Sequence, residues 1–190
     1  MEDRLGRASS LTANFTQTFR SAATAQQVVE RGRLFVKRPG RMRWDYKQPD
    51  KKVFLVRSDG TTLVYVPADY MAVKSRLPAD APHLRLLLGD GRLLDSFAAA
   101  EVQLKQPVFP GSKQIKLTPR KPTDGVEVVY LEVDPRTHVI GRVLLVDPMG
   151  NESDLVLDKL VEDAQIKDDA FDIQLPPGVS TRDATTSEGR

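Results

Sequence analysis

The sequence predicts an α+β protein in which a long antiparallel sheet, curled far enough to hold a cavity, carries a few short helices laid against it. Three observations point there. Short stretches with strand character recur along the chain, each bounded by Gly, Pro, Asn, Asp or Ser. The period changes once, between Asp80 and Ala100 (DAPHLRLLLGDGRLLDSFAAA), where leucines fall at helical spacing. Residues 139–146 (VIGRVLLV) are apolar on both faces except at Arg142, a pattern that requires cover on both sides.

Taken in order, residues 11–19 read as a first strand, 27–38 as a long second, and 42–46 as a third that ends at Gln48-Pro49. Residues 52–57 lead through the hairpin signal Ser58-Asp59-Gly60 into 62–66, and 70–75 closes this group. Residues 82–88, opened by Pro82 and stopped by Gly89, and residues 92–100 are predicted as helices. Leu84, Leu87 and Leu88 share one helical face, and Leu93, Leu94 and Phe97 share another. Both pieces are too short to stand alone, so they are expected to lie on the sheet. Strands follow at 101–105, 114–118, 126–133 and 139–146, the last turning through Asp147-Pro148-Met149-Gly150-Asn151 into 152–160. The total is eleven strands, and the chain finishes with Phe171-Asp172-Ile173-Gln174-Leu175. One domain is expected over residues 1–179, and residues 180–190 (STRDATTSEGR), polar and without an apolar anchor, read as a disordered tail.

The most informative run is the hairpin of residues 32–49. Alternation places Leu34, Val36 and Arg38 on one face of its first strand, and Met42, Trp44 and Tyr46 on one face of its second. Arg31, Arg33, Lys37, Arg41 and Arg43 fall on the opposite face, giving a greasy side with Arg38 at its rim and a basic side. An inward Arg38 must find carbonyls or a carboxylate, because a buried guanidinium without acceptors is expensive. A strand-end arginine paired with a carboxylate satisfies that demand as well as any functional role. The apolar side chains likewise suit a filled core or a cavity wall, and the basic face suits plain solvation or docking to an anionic partner.

Composition removes several function classes. The 190 residues carry 28 Lys plus Arg against 26 Asp plus Glu, so bulk charge does not imply nucleic acid. The basic face offers only Phe35 for base stacking. With no cysteine, disulfides, thiolate metal sites and cysteine nucleophiles are excluded. The two histidines, His83 and His138, belong to no HExxH motif, and neither GxSxG nor a glycine-rich phosphate loop occurs, so neither catalysis nor a cofactor is expected. No apolar run approaches the roughly 20 residues that span a bilayer. The first eleven residues (MEDRLGRASSL) lack a signal-peptide pattern, so the chain is either cytoplasmic or a secreted form whose signal has been removed.

The residues resemble a known family, the periplasmic lipoprotein carrier LolA of bacteria with an outer membrane. The resemblance rests on Phe15-Thr16-Gln17, the strand from Gly32 into Arg38-Pro39, Trp44, Gln48-Pro49, Ser58-Asp59-Gly60, a leucine-rich helical insertion, Leu117-Thr118-Pro119, and Phe171 followed by Pro177-Gly178-Val179. It implies an unclosed β-barrel, a half-barrel, with a helical lid over a hydrophobic cavity. It further implies a periplasmic monomer, signal removed, that takes acylated lipoproteins from an inner-membrane ABC transporter to an outer-membrane acceptor. Arg38 matches the arginine that latches the lid through backbone carbonyls, here expected at Leu86 to Leu88, and Met42 matches an apolar position near the cavity mouth. The acyl-binding cavity would use Leu34, Val36, Met42, Trp44, Tyr46, Leu84, Leu87, Leu88, Leu93, Leu94 and Phe97. Arg31, Arg33, Lys37, Arg41 and Arg43 would form a docking face. Two departures stand out: few residues precede the first strand, where the family has a complete helix, and the outer hairpin face is unusually basic. A rival of another class is a half-barrel that senses lipid or lipoprotein to regulate a membrane partner.

Overall fold

The computed structural model describes residues 8–77, 93–122 and 125–185. Among them, twelve strands make one sheet: β1 (Ser10–Arg20), β2 (Gln27–Lys37), β3 (Arg41–Gln48), β4 (Lys52–Val56), β5 (Thr61–Val66), β6 (Met71–Arg76), β7 (Phe97–Val102), β8 (Lys113–Pro119), β9 (Val128–Val133), β10 (Ile140–Val146), β11 (Glu152–Glu162) and β12 (Ser180–Asp183). The order β12-β6-β5-β4-β3-β2-β1-β11-β10-β9-β8-β7 leaves β12 and β7 as edges, so the sheet is open. The chain closes its middle late, when β11 pairs with β1 and Phe15 comes opposite Leu157. Among the described residues no helix is long and apolar enough to cross a membrane.

Two expectations are corrected. The helix over residues 92–100 shrinks to the single turn α1 (Leu93–Ser96), and Phe97 already begins β7, pairing with Pro119 of β8. Alanines 98–100 favour helix in isolation, but one turn has too few internal bonds to compete with a ready-made sheet edge. The disordered tail expected from residue 180 is the second. Ser180–Asp183 instead runs parallel to β6, with the Ser180 N–H donating to the Tyr70 carbonyl at 2.9 Å and that of Ala184 to Lys74 at 2.8 Å. Main-chain bonds carry this pairing, so the polar side chains gave no sign of it. Upstream, Phe171 ends a 3-10 turn (Asp168–Phe171) and not a strand. The helix expected over residues 82–88 lies outside the described residues.

Alternation splits the core in two. The inner face gathers Leu11, Ala13 and Phe15 of β1, Leu34 and Val36 of β2, Met42 and Trp44 of β3, and Val129, Leu131, Val143, Leu155 and Leu157 from the far half of the sheet. A second cluster on the outer face joins Leu55, Leu63, Tyr65 and Ala72, covered by Ile173, Leu175 and Val179 of the C-terminal segment. Across β8–β10 the outer cover is the loop of residues 103–112. Its Val108 and Phe109 N–H groups donate to the buried Glu132 carboxylate, each at 2.9 Å, and Ser112 Oγ donates at 3.1 Å. Arg142 completes this site with bonds to Glu132 and a two-pronged grip on Asp154. The two-sided cover required by residues 139–146 is thereby met.

Candidate functional site

The hairpin β2–β3 sets up the inner face. Leu34 pairs with Trp44 and Val36 with Met42, and all four are buried. Beside them, Phe15 crosses the strand over Gly32. A Cβ on Gly32 would lie 2.7 Å from the Phe15 ring and 2.1 Å from the Asp45 carbonyl oxygen, so no larger residue fits there without displacing both. The ring of Phe15 then meets Trp44 edge-on at 4.8 Å and Tyr46 at 4.9 Å, while Trp44 and Tyr46 stack at 6.4 Å. Edge and offset contacts of this kind add to the area buried. The Trp44 indole N–H donates to Met42 Sδ, so the ring's polar group has a partner within the wall.

A cavity of about 130 Å³ opens on this face, lined by Gln17, Trp44, Tyr46, Phe54, Val143, Leu145, Ser153 and Leu155. The Tyr46 hydroxyl donates to Gln17 Oε1 at 3.2 Å. Burial, and secondarily the Glu30 carboxylate, raises the Tyr46 pKa well above its ordinary value, so the phenol stays a donor. Lys52 Nζ sits 4.2 Å from the centre of the Tyr46 ring and 2.7 Å from Glu30, so the cation and its counter-charge neutralise each other at the rim.

Arg38 follows β2 at the opposite end of the same face. Its backbone N–H donates to the Ser9 carbonyl at 2.8 Å, and its guanidinium donates to the Ala8 carbonyl. Burial pulls its pKa below the ordinary value, against the Glu162 and Asp163 carboxylates that favour the cation. The lid carbonyls expected at Leu86 to Leu88 lie outside the described residues, as do Leu84, Leu87 and Leu88. Leu93 opens α1, and Leu94 beside it is exposed, its carbonyl accepting from Arg120 at 3.0 Å, so Leu94 does not join the inner wall. The single-turn helix explains this, because the chain turns into β7 before a second apolar row can form. Phe97 does reach the inner cluster, as a strand residue.

The basic face needs a correction. Three of its five cations are engaged by the chain itself. Lys37 Nζ bonds the Ile166 carbonyl at 2.9 Å and Asp168 at 2.5 Å, and Arg41 reaches Asp168 at 2.9 Å and lies over the Phe171 ring. Arg43 donates to Asp45 at 2.7 Å and to the Ala170 carbonyl at 2.8 Å. Arg31 and Arg33 are the exposed members of the five, with Arg33 lying over the Phe35 ring. Asp168 and its neighbours are 130 residues distant along the chain, so nothing local announced the pairing. Sequence reasoning also passed over Phe15, Gln17, Phe54, Val143, Leu145, Ser153 and Leu155 as wall residues. Alternation put each on a face, but which faces meet is decided by the β1–β11 pairing.

Comparisons with known proteins agree with this architecture. The chain is similar to an outer-membrane lipoprotein carrier protein of Yersinia enterocolitica, 30% identical over 185 residues, covering 96% of this chain and 86% of that one. A crystal structure of a LolA superfamily protein from Nitrosomonas europaea superposes with a TM-score of 0.51 at 10% identity, covering 90% of this chain and 94% of the other. MucB of Pseudomonas aeruginosa, solved in complex with MucA, shares the fold at a TM-score of 0.52 and 14% identity, over 91% of this chain and 58% of that one. The family model described as outer membrane lipoprotein carrier protein LolA matches residues 6–174, nearly the length of the sheet, and this chain belongs to that family.

Proposed function

We propose that this chain is a periplasmic carrier that holds the acyl chains of lipoproteins against its inner face while they cross from the inner to the outer membrane. The observation that carries the reading is the continuous apolar wall formed by Phe15, Leu34, Val36, Met42, Trp44, Leu155 and Leu157 in a chain of this family. One acyl chain of about sixteen carbons hides roughly 12 kcal/mol of apolar surface, at about 0.8 kcal/mol per methylene, so a lipoprotein does not cross water unaided. Its donor would be an inner-membrane ABC transporter and its acceptor an outer-membrane protein, with the carrier acting as a monomer.

The cavity of about 130 Å³ is smaller than the roughly 300–1,000 Å³ of ordinary ligand pockets. Acyl occupancy of this cavity therefore requires wall side chains to separate, and the affinity there is held in check by the contacts they lose. Arg38 would act as the latch of the empty state: its bonds to main-chain carbonyls favour closure, and a ligand must compete with them. Leu34, Val36, Met42, Trp44, Tyr46 and Phe97 would supply wall, with Leu84, Leu87, Leu88 and Leu93 as lid.

The test is mass spectrometry of the ligand co-purifying with the protein from its periplasm, followed by transfer to an acceptor. Acylated peptide passed onward supports a carrier. A lipid retained under all conditions, or a regulatory protein partner bound in its place, overturns it in favour of a sensing half-barrel. In the same assay Arg38→Leu should slow release while leaving the fold intact, and equal release rates would remove Arg38 from the mechanism.

A further inference from the structure

The cavity on the inner face is not uniformly apolar. Gln17, Tyr46 and Ser153 meet there among Trp44, Phe54, Val143, Leu145 and Leu155. The Tyr46 hydroxyl occupies Gln17 Oε1, which fixes the amide so that its Nε2 donors are the free end. Among the described residues neither Gln17 Nε2 nor Ser153 Oγ has a hydrogen-bond partner, and both side chains line the cavity. Tyr46 itself is held by the edge of Phe15 and by Lys52 over its ring, so the amide is positioned by a rigid support.

The place of this group along the strands is as informative as its chemistry. Gln17 stands opposite Glu30 on β2 and Leu155 on β11. Two residues inward on the same face is Phe15, fully buried, and two residues outward is Phe19, which pairs with Val28; these two are 45% and 50% exposed. The donors thus lie on the boundary between an exposed apolar rim and a dry interior. A fatty acyl group has one polar atom at that same boundary, the carbonyl oxygen that separates its head from its methylene tail.

Filling the cavity with methylenes alone would strip water from two donors and give them nothing in return, which is costly. A ligand that enters must therefore place an acceptor there. A neutral acceptor fits better than a carboxylate, because the nearby cation, Lys52, already has Glu30 at 2.7 Å.

We propose that Gln17, oriented by Tyr46, and Ser153 form a carbonyl-recognition subsite that takes the ester carbonyl at the head of a bound acyl chain. This rests on the acyl-binding reading above and deepens it. The subsite sets the depth at which a chain is held, and it places the acyl head at the end of the face remote from Arg38.

The test uses two probes, a bis(palmitoyloxy)propyl-cysteinyl peptide and its dialkyl ether twin, which keeps the tails and lacks the carbonyls. Binding of each to the whole protein is measured by fluorescence competition. The wild type should prefer the ester by about tenfold, the size of one or two neutral hydrogen bonds in a water-poor site. Gln17→Met and Ser153→Ala should each reduce that preference, and the double variant should bring it to about unity. Equal wild-type affinity for ester and ether overturns the subsite and leaves acyl binding standing. Equal loss of both probes in Gln17→Met also overturns it, by making Gln17 a packing residue. Binding of neither probe to the wild type overturns the acyl-binding reading itself, and the subsite with it.

Discussion

The inner face coheres through contact between apolar side chains, Phe15 against Trp44 and Tyr46, Leu34 beside Trp44, Val36 beside Met42. On the outer face, charged groups hold two covering segments in place: Glu132, itself bonded by Arg142, grips the loop of residues 103–112, and Lys37, Arg41 and Arg43 grip residues 166–171. The contrast separates two requirements on one sheet. Apolar contacts are non-directional, so an inner wall held by them can part and close again around chains of variable position. Hydrogen bonds to the buried Glu132 are directional and expensive to leave unmade, so they fix the loop of residues 103–112 in a single arrangement, and the more exposed bonds to residues 166–171 hold their segment less firmly.

The largest effect should come from Phe15→Ala, which removes a fully buried ring from the centre of the inner wall. A cost of about 4 kcal/mol is expected by chemical denaturation, and the enlarged cavity should admit small apolar probes. A cost below about 1 kcal/mol would mean that the inner wall is already loosely packed at this point.

Next in size is Glu132→Ala. Burial alone would push this carboxyl up. The bonds from Arg142, Phe109, Val108 and Ser112 together outweigh burial and hold it below the usual carboxylate range. Its loss should cost about 3 kcal/mol, because the Val108 and Phe109 N–H groups lose their acceptor and the Arg142 guanidinium is left with Asp154 alone. Hydrogen exchange should show loosening at residues 103–112 before any change at β1 or β2. Simultaneous loosening of both faces would erase the distinction drawn between them.

The smallest effect belongs to Asp168, which is exposed. Its bond to Lys37, and then the charges of Arg41 and Lys37, hold its carboxyl below the ordinary value in the folded protein. A depressed carboxylate stabilises above the unfolded pKa of about 4, and its contribution is lost as pH falls through the lower folded value. Protection of the Ser180 and Ala184 amides, which bond Tyr70 and Lys74, relative to the unfolded chain should therefore fall below about pH 4 and in Asp168→Asn at neutral pH, with the inner face unaffected. Unchanged exchange in Asp168→Asn would show that Ile173, Leu175 and Val179 suffice to hold the C-terminal segment.

Much of this could be read from the chain before any coordinates. Alternation in residues 32–46 separated Leu34, Val36, Met42 and Trp44 from Arg33, Lys37, Arg41 and Arg43, and the two sets do occupy opposite faces. Eleven of the strands stand near their expected positions, with β7 shifted because a sheet edge outcompeted a one-turn helix. The candidate site was legible only on its near side, where β2 and β3 are joined by a short turn and their register is local.

Alternation and turn chemistry are properties of neighbouring residues, so the sequence by itself determined the strands, their faces and the apolar character of the wall. The tertiary structure alone decided what lies against each face. The pairing of β1 with β11 brought Ser153 and Leu155 to Gln17, and the return of residues 163–183 across the sheet claimed the basic face and added β12. Both depend on contacts between residues more than a hundred positions apart. A short pattern carries no record of such contacts, because any of several apolar or charged faces would satisfy it equally well until the whole chain is packed.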